Sequence, residues 1–159
     1  MKKVEILAPA GSMESLIAAM NKGADAIYLG GNKFSARAYA SNFDNDNMIK
    51  AVDYAHSYGA KVYVTLNTIL KENEIEEAVR YVGFLYEIGV DAIIIQDLGL
   101  FKRVKEDYPD FEIHASTQMT IHNGEGALFF KEKGFHRIVL SRELSLDEIC
   151  LLYTSPSPR

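Results

Sequence analysis

The sequence predicts an α/β fold, a (β/α) TIM-type barrel that is incomplete, with six of the eight strand–helix units of a closed barrel. Three observations lead there. A helix–glycine–apolar strand unit repeats along the chain, several strands end in polar residues, and the first turn lacks a dinucleotide-binding fingerprint.

The opening strand is Val4-Glu5-Ile6-Leu7. The repeat then reads Gly23-Ala24-Asp25-Ala26-Ile27-Tyr28-Leu29, Gly59-Ala60-Lys61-Val62-Tyr63-Val64, Gly89-Val90-Asp91-Ala92-Ile93-Ile94-Ile95 and Gly134-Phe135-His136-Arg137-Ile138-Val139-Leu140. Glycine closes each helix by taking the left-handed conformation, and the continuous apolar run that follows suits a strand covered on both faces. The widest interval, between Gly89 and Gly134, holds a further strand, Phe111 to Ala115, announced by the Tyr108-Pro109-Asp110 turn. Helices fill the gaps. The clearest carries Ile75, Ala78, Val79, Val82 and Leu85 on one face, with Asn73 as expected N-cap and Glu76 completing a capping box. Strict alternation of strand and helix means a parallel sheet with right-handed crossovers. An open doubly wound sheet also satisfies it. Polar strand tips favour the barrel, because barrel enzymes build their sites there, and Ala8-Pro9-Ala10-Gly11-Ser12 is not a Gly-rich dinucleotide turn.

The 159 residues suffice for one domain but not for a closed barrel of about 250 residues. Residues 1–149 read as the N-terminal part of the barrel. Ser145-Leu146-Asp147-Glu148 is a capping box opening a sixth helix, which should stop within two turns. Residues 150–159, with Pro156 and Pro158, read as a disordered or non-native tail, and translated foreign sequence is the favoured explanation. The open sheet edges at Val4–Leu7 and Ile138–Leu140 are an expected aggregation liability.

A net charge of −5 argues against bulk phosphate attraction by this piece. The single cysteine, Cys150, excludes an internal disulfide framework or a cysteine metal site. No signal peptide or membrane-length apolar run is present, so a cytoplasmic location is expected.

The strand tips carry the candidate chemistry. Free amides at Ala10-Gly11-Ser12 could hold an anion, although Ser12 as a simple cap is the favoured reading. The long loop from Gly30 to Phe43 contains Lys33, Phe34, Arg37, Tyr39 and Phe43; Arg37 could clamp a carboxylate or phosphate, or the loop could simply lay its aromatics over the mouth. Asn67 and Gln96 are amides able to orient a substrate, while Asp97 is expected to cap the next helix. In strand five, Glu112, His114 and Ser116 share one parity and Ile113 and Ala115 the other, so the polar three should point along the barrel axis. Thr117, Gln118, Thr120, His122 and Asn123 extend that tip. His114 could be a general acid or base, or equally an interior histidine paired with Glu112 or Glu5. Arg142 would reach the mouth as a second cation, or form an exposed ion pair beside Glu143. No Ser–His–Asp order, zinc helix, phosphate loop or metal-spaced cluster is present.

Leu7-Ala8-Pro9-Ala10-Gly11-Ser12, Ala24 to Gly31, Phe34-Ser35-Ala36-Arg37-Ala38, Tyr63 to Thr68, Gln96-Asp97, His114-Ala115-Ser116-Thr117-Gln118-Met119 and Leu140-Ser141-Arg142-Glu143-Leu144 together resemble the collagenase-like peptidase family, peptidase family U32. The resemblance runs from about Val4 to Ile149. It implies an N-terminal barrel and, despite the family's label, oxygen-independent hydroxylation of tRNA or ribosomal RNA bases or of a ubiquinone precursor. It also implies an iron–sulfur cluster on four cysteines in the full-length protein; none of those cysteines is in this sequence, so no cofactor or metal is expected in this chain. The stretch from Phe34 to Asp44 is most similar to long members linked to ribosomal RNA. By the same resemblance His114 and Gln118 would be catalytic, and Arg37, Asn67, Gln96 and Arg142 would bind substrate at the mouth.

The function expected is therefore a fragment of an iron–sulfur RNA base hydroxylase, inactive alone, with RNA (tRNA or rRNA) engaged through other parts of the protein. A collagenase-like peptidase and a non-catalytic partner subunit are the alternatives. Composition and motifs leave the oligomeric state open.

Overall fold

The computed structural model describes residues 4–36 and 43–154. Six parallel strands stand side by side in sequence order: β1 Leu7–Pro9, β2 Ala26–Gly30, β3 Lys61–Leu66, β4 Ala92–Ile95, β5 Glu112–Ala115 and β6 Arg137–Ile138. The helices between and after them are α1 Met13–Asn21, α2 Asn45–Ser57, α3 Ile75–Glu87, α4 Leu98–Asp107, α5 Gly124–Lys133 and α6 Leu146–Thr154. The arrangement is the predicted one, a curled arc of a (β/α) barrel with six strand–helix units. The arc brings its first and last strands within reach, since Arg137 on β6 binds Glu5, just ahead of β1.

Side-chain parity divides the molecule. Ile27, Leu29, Val62, Val64, Leu66, Ile93, Ile95, Ile113 and Ala115 all pack outward, in one core with the helices. Register keeps these rows aligned, with Ile27 opposite Val62, Val64 opposite Ile93, and Ile93 opposite Ile113. From the helix side Leu16, Leu85 and Leu100 are fully buried, each contributing roughly 1.5–3 kcal/mol of burial free energy. The opposite parity builds a second, smaller cluster inside the arc, from Ala26, Tyr63, Ala92 and Ile94 with Leu7 and Tyr28. The outer core binds sheet to helices. The inner face is left to shape a site.

The repeat glycines Gly23, Gly59, Gly89 and Gly134 all have positive φ, so each ends its helix in the conformation that a Cβ would strain. Caps follow the sequence at most helix starts. Ser12 and Asp97 each accept a backbone N–H from the first turn of α1 and α4, and Asn123, read from sequence as part of the polar tip, caps α5 in the same way. Ser145 and Glu148 close the expected box at α6. The start of α3 differs. A short 3-10 turn, Glu72–Glu74, precedes it, and the Glu74 carboxylate takes the Lys71 amide at 2.7 Å, so Asn73 is not the cap. A 3-10 turn satisfies the orphan amides locally and leaves the Asn73–Glu76 box unused.

Helix α6 continues through Cys150 to Thr154, into the stretch predicted as a tail; residues 155–159 lie outside the described part. Among the described residues no helix is long and apolar enough to cross a membrane.

Candidate functional site

The C-terminal ends of the strands surround a cavity of about 490 Å³. Its wall takes one residue of inward parity from each of β1 to β4, Leu7, Tyr28, Thr65 and Ile94, and one from just past the ends of β5 and β6, Ser116 and Val139. Above them the loops add Ala36, Asn67, Thr117, Gln118 and Arg142. Among the described residues the lining holds apolar side chains (Leu7, Ala36, Ile94 and Val139) beside amides, hydroxyls and the Arg142 guanidinium, and no carboxylate, thiol or imidazole.

Hydrogen bonds lock much of this lining. The Ser35 and Thr65 hydroxyls lie 3.0 Å apart, and the Thr65 hydroxyl also donates to the Leu29 carbonyl at 3.2 Å. The Asn67 side-chain oxygen accepts the Ala36 amide at 3.0 Å, and Gln96 Nε2 donates to the Asn67 carbonyl at 2.8 Å. Asn67 thus spends its acceptor on the loop after β2 while lining the cavity. The Thr68 hydroxyl donates to Phe34 O, which fixes the other end of the same loop segment. Ser116 accepts the Gln118 amide, shaping the 3-10 turn Thr117–Met119 that presents Gln118.

The sequence-predicted site residues separate into three groups. Asn67, Gln118 and Arg142 meet in the cavity lining. Gln96 stands behind Asn67 and holds its peptide. His114 lies elsewhere: it is 1% exposed, and its Nε2 pairs with the Glu112 carboxylate at 2.8 Å. Burial lowers the His114 pKa from its ordinary value, against the opposing pull of the Glu112 hydrogen bond. The structure therefore matches the interior pairing with Glu112, one of the two arrangements open from sequence. Arg37 falls outside the described residues.

Other expectations resolve locally. The Gly11 and Ser12 amides are both donated to the Ser15 hydroxyl, at 3.0 and 2.9 Å, which consumes the donors of the suggested anion site. Phe43 does not cover the mouth; it is 4% exposed and packs in the outer core, while Phe34 leans on Tyr81 with ring centres 6.3 Å apart. Asp97 is a cap, accepting Leu100 N at 2.8 Å, and it also receives Leu70 N at 3.2 Å. Glu143 turns to the Ser141 hydroxyl rather than to Arg142.

Sequence reasoning passed over Tyr63 and Arg137. Tyr63 is fully buried on the inner face, with Arg137 over its ring at 5.2 Å and the His114 ring edge-on at 4.7 Å. The Tyr63 hydroxyl donates to Glu5 at 3.0 Å, and Arg137 completes an ion pair with the same carboxylate. A polar residue of inward parity within an apolar strand was the available signal.

The described residues do not fit an iron–sulfur cluster. Cys150, the sequence's one cysteine, is exposed on α6, and no three His, Cys, Asp or Glu side chains converge on a metal position.

Comparison with known proteins gives one consistent answer. The profile of peptidase family U32 matches residues 11–156. The 23S rRNA 5-hydroxycytidine C2501 synthase of Escherichia coli is 48% identical over 92% of this chain and 22% of its own length. The tRNA hydroxylation protein P1 of Bacillus subtilis is 38% identical over 93% of this chain and 35% of its own. This chain thus spans roughly a fifth to a third of those two relatives. A solved U32 peptidase, Mk0906, superposes with a TM-score of 0.77 over 98% of this chain and 66% of that one, at 15% identity, which speaks for the fold alone. The arc of six strand–helix units, the polar mouth and the profile match agree, and the chain belongs to peptidase family U32.

Proposed function

We propose that this chain is the base-positioning barrel portion of an RNA base hydroxylase, with a cytidine of ribosomal RNA as the substrate. The observation that carries the reading is the composition of the cavity among the described residues: uncharged donors and acceptors set among apolar side chains, with the Arg142 guanidinium. A splayed-out nucleobase offers neutral Watson–Crick edges to amides and hydroxyls, and its phosphate suits an arginine. Asn67 would donate to the base, Gln118 would contact its edge, and Arg142 would take the phosphate. Greater identity to the ribosomal RNA enzyme than to the tRNA protein favours the ribosomal substrate.

Hydroxylation is an oxidation and needs a redox centre, which in this reading is an iron–sulfur cluster held by cysteines that these 159 residues do not contain. By itself the chain binds and orients but does not hydroxylate. The peptidase alternative needs an activated nucleophile or a metal-bound water, and the described lining residues include no imidazole, carboxylate or lysine to activate the Ser116 hydroxyl.

The test is genetic and chemical. Deleting the gene in its source organism should abolish a hydroxylated cytidine in 23S rRNA, read by mass spectrometry of nuclease fragments. Unchanged rRNA, together with cleavage of a collagen-like peptide by the purified product, would replace this reading with the peptidase one.

A further inference from the structure

Beneath the cavity lies a second layer of inward-facing side chains. Along each strand or its immediate extension, the residue two positions before a cavity-lining residue faces the same interior. Leu7, Tyr28, Thr65, Ile94, Ser116 and Val139 line the cavity. Below them in the chain's own order stand Glu5, Ala26, Tyr63, Ala92, His114 and Arg137. Barrel interiors are ordinarily filled by bulky branched apolar side chains. Here two alanines make room for four large polar ones.

Those four, with Glu112, form one connected group. Arg137 binds the Glu5 carboxylate and lies over the Tyr63 ring. Tyr63 donates to Glu5, and His114 rests edge-on against Tyr63 while bonded to Glu112. The group spans the arc from the segment ahead of β1 through β3 and β5 to β6, and so ties its two edges together. Sheet pairing alone cannot do that, since among the described residues β1 pairs with β2 and β6 with β5.

A half-buried ionic group of this kind is weak evidence for stability, because desolvation offsets its attraction and apolar replacements are often neutral or stabilising. What it does fix is geometry. We propose that Glu5, Tyr63, His114 and Arg137 are positioning residues that set the width of the cavity above them, so that ligand fit depends on side chains that never touch the ligand. The choice of ligand probe rests on the base-binding reading; the layer's effect on the cavity wall does not.

The experiment uses the 159-residue chain and the double variant Glu5→Met/Arg137→Met, which exchanges the ion pair for apolar side chains of similar length. Cytidine 5′-monophosphate is the probe, titrated by NMR alongside thermal unfolding. The expected result is a melting temperature held or raised together with affinity reduced about tenfold or more, the scale on which sub-ångström misplacement acts. A purely structural role would move both together, and a double variant that binds like the parent would overturn the proposal. Tyr63→Phe guards against misfolding, since it removes one hydroxyl. In it the amide resonances of Leu7 and Val139, on strands other than its own, should shift; resonances that stay in place would sink the idea. If the parent chain fails to bind the nucleotide, the base-binding reading falls, and the Tyr63→Phe shifts alone decide for or against the layer.

Discussion

Gln96 on the tip of β4 holds the peptide of Asn67 on the tip of β3, donating from Nε2 to its carbonyl at 2.8 Å. Because Asn67 in turn receives the Ala36 amide, hydrogen bonds link two strand tips and the loop after β2. Gln96→Leu removes the donor at nearly constant volume. The loss of one hydrogen bond, about 1 kcal/mol, should weaken nucleotide binding roughly fivefold. Titration by fluorescence or NMR checks this, and an unchanged affinity would show that Asn67 is held without Gln96.

Arg142 lines the cavity at its rim, and the phosphate assignment separates it from the amides. Arg142→Gln should reduce binding of cytidine 5′-monophosphate while leaving the weaker binding of cytidine unaltered. Equal losses for both ligands would place Arg142 against the base instead.

Asp97 serves two masters, capping α4 through Leu100 N and tethering the loop after β3 through Leu70 N. Asp97→Ala should cost about 1–2 kcal/mol of stability, the usual cost of a lost N-cap, and should raise proteolytic cutting near Leu70. Asp97→Asn, which keeps an acceptor oxygen, should recover most of the stability. Urea unfolding of the three proteins measures both effects.

Acid sensitivity should come in two steps. Burial holds the His114 pKa below the ordinary 6.5, so between those values the unfolded chain binds the extra proton. Stability from this group is complete above about pH 6.5 and is lost as pH falls through the folded value. The groups facing it are Glu112, Glu5, Arg137 and Tyr63. Glu5 is held below 4.5 by its hydrogen bond from Arg137. For Glu112, burial pushes upward, but the His114 hydrogen bond and nearby cations prevail, leaving it lowered as well. Both carboxylates contribute fully above about pH 4.5 and lose that contribution as pH falls below it. Melting temperature followed across pH should show the upper step in the parent chain and not in His114→Asn.

Gly31 has no room for a side chain. A Cβ there would collide with the Tyr81 hydroxyl and sit 3.0 Å from its Cζ. Tyr81 packs between Phe34 and Phe84, and burial pushes its pKa up to about 12. Gly31→Ala should destabilise by about 1–3 kcal/mol, as overpacking does. Adding Tyr81→Phe should relieve only part of it, because the ring carbon remains. Full rescue by that second change would mean the hydroxyl alone is the obstacle.

Periodicity in the sequence determined the architecture. Glycine-closed helices followed by apolar runs admit few parallel arrangements, and the alternation at Glu112-Ile113-His114-Ala115 was enough to assign which side chains face inward. Caps at Ser12, Asp97 and Ser145 were equally legible, because a cap is a contact between residues three apart. The start of α3 was not, since a 3-10 turn and a helix share the same local residues and differ only in which amides they satisfy. Two things needed the tertiary structure. The first is depth: strand tip and strand middle look alike in sequence, yet Ser116 lines the cavity while His114 lies out of the lining, paired with Glu112. The second is the meeting of Glu5 with Arg137, separated by nearly the whole chain. Sequence periodicity sets the face a side chain takes, but only the curvature of the arc decides which distant faces meet across it.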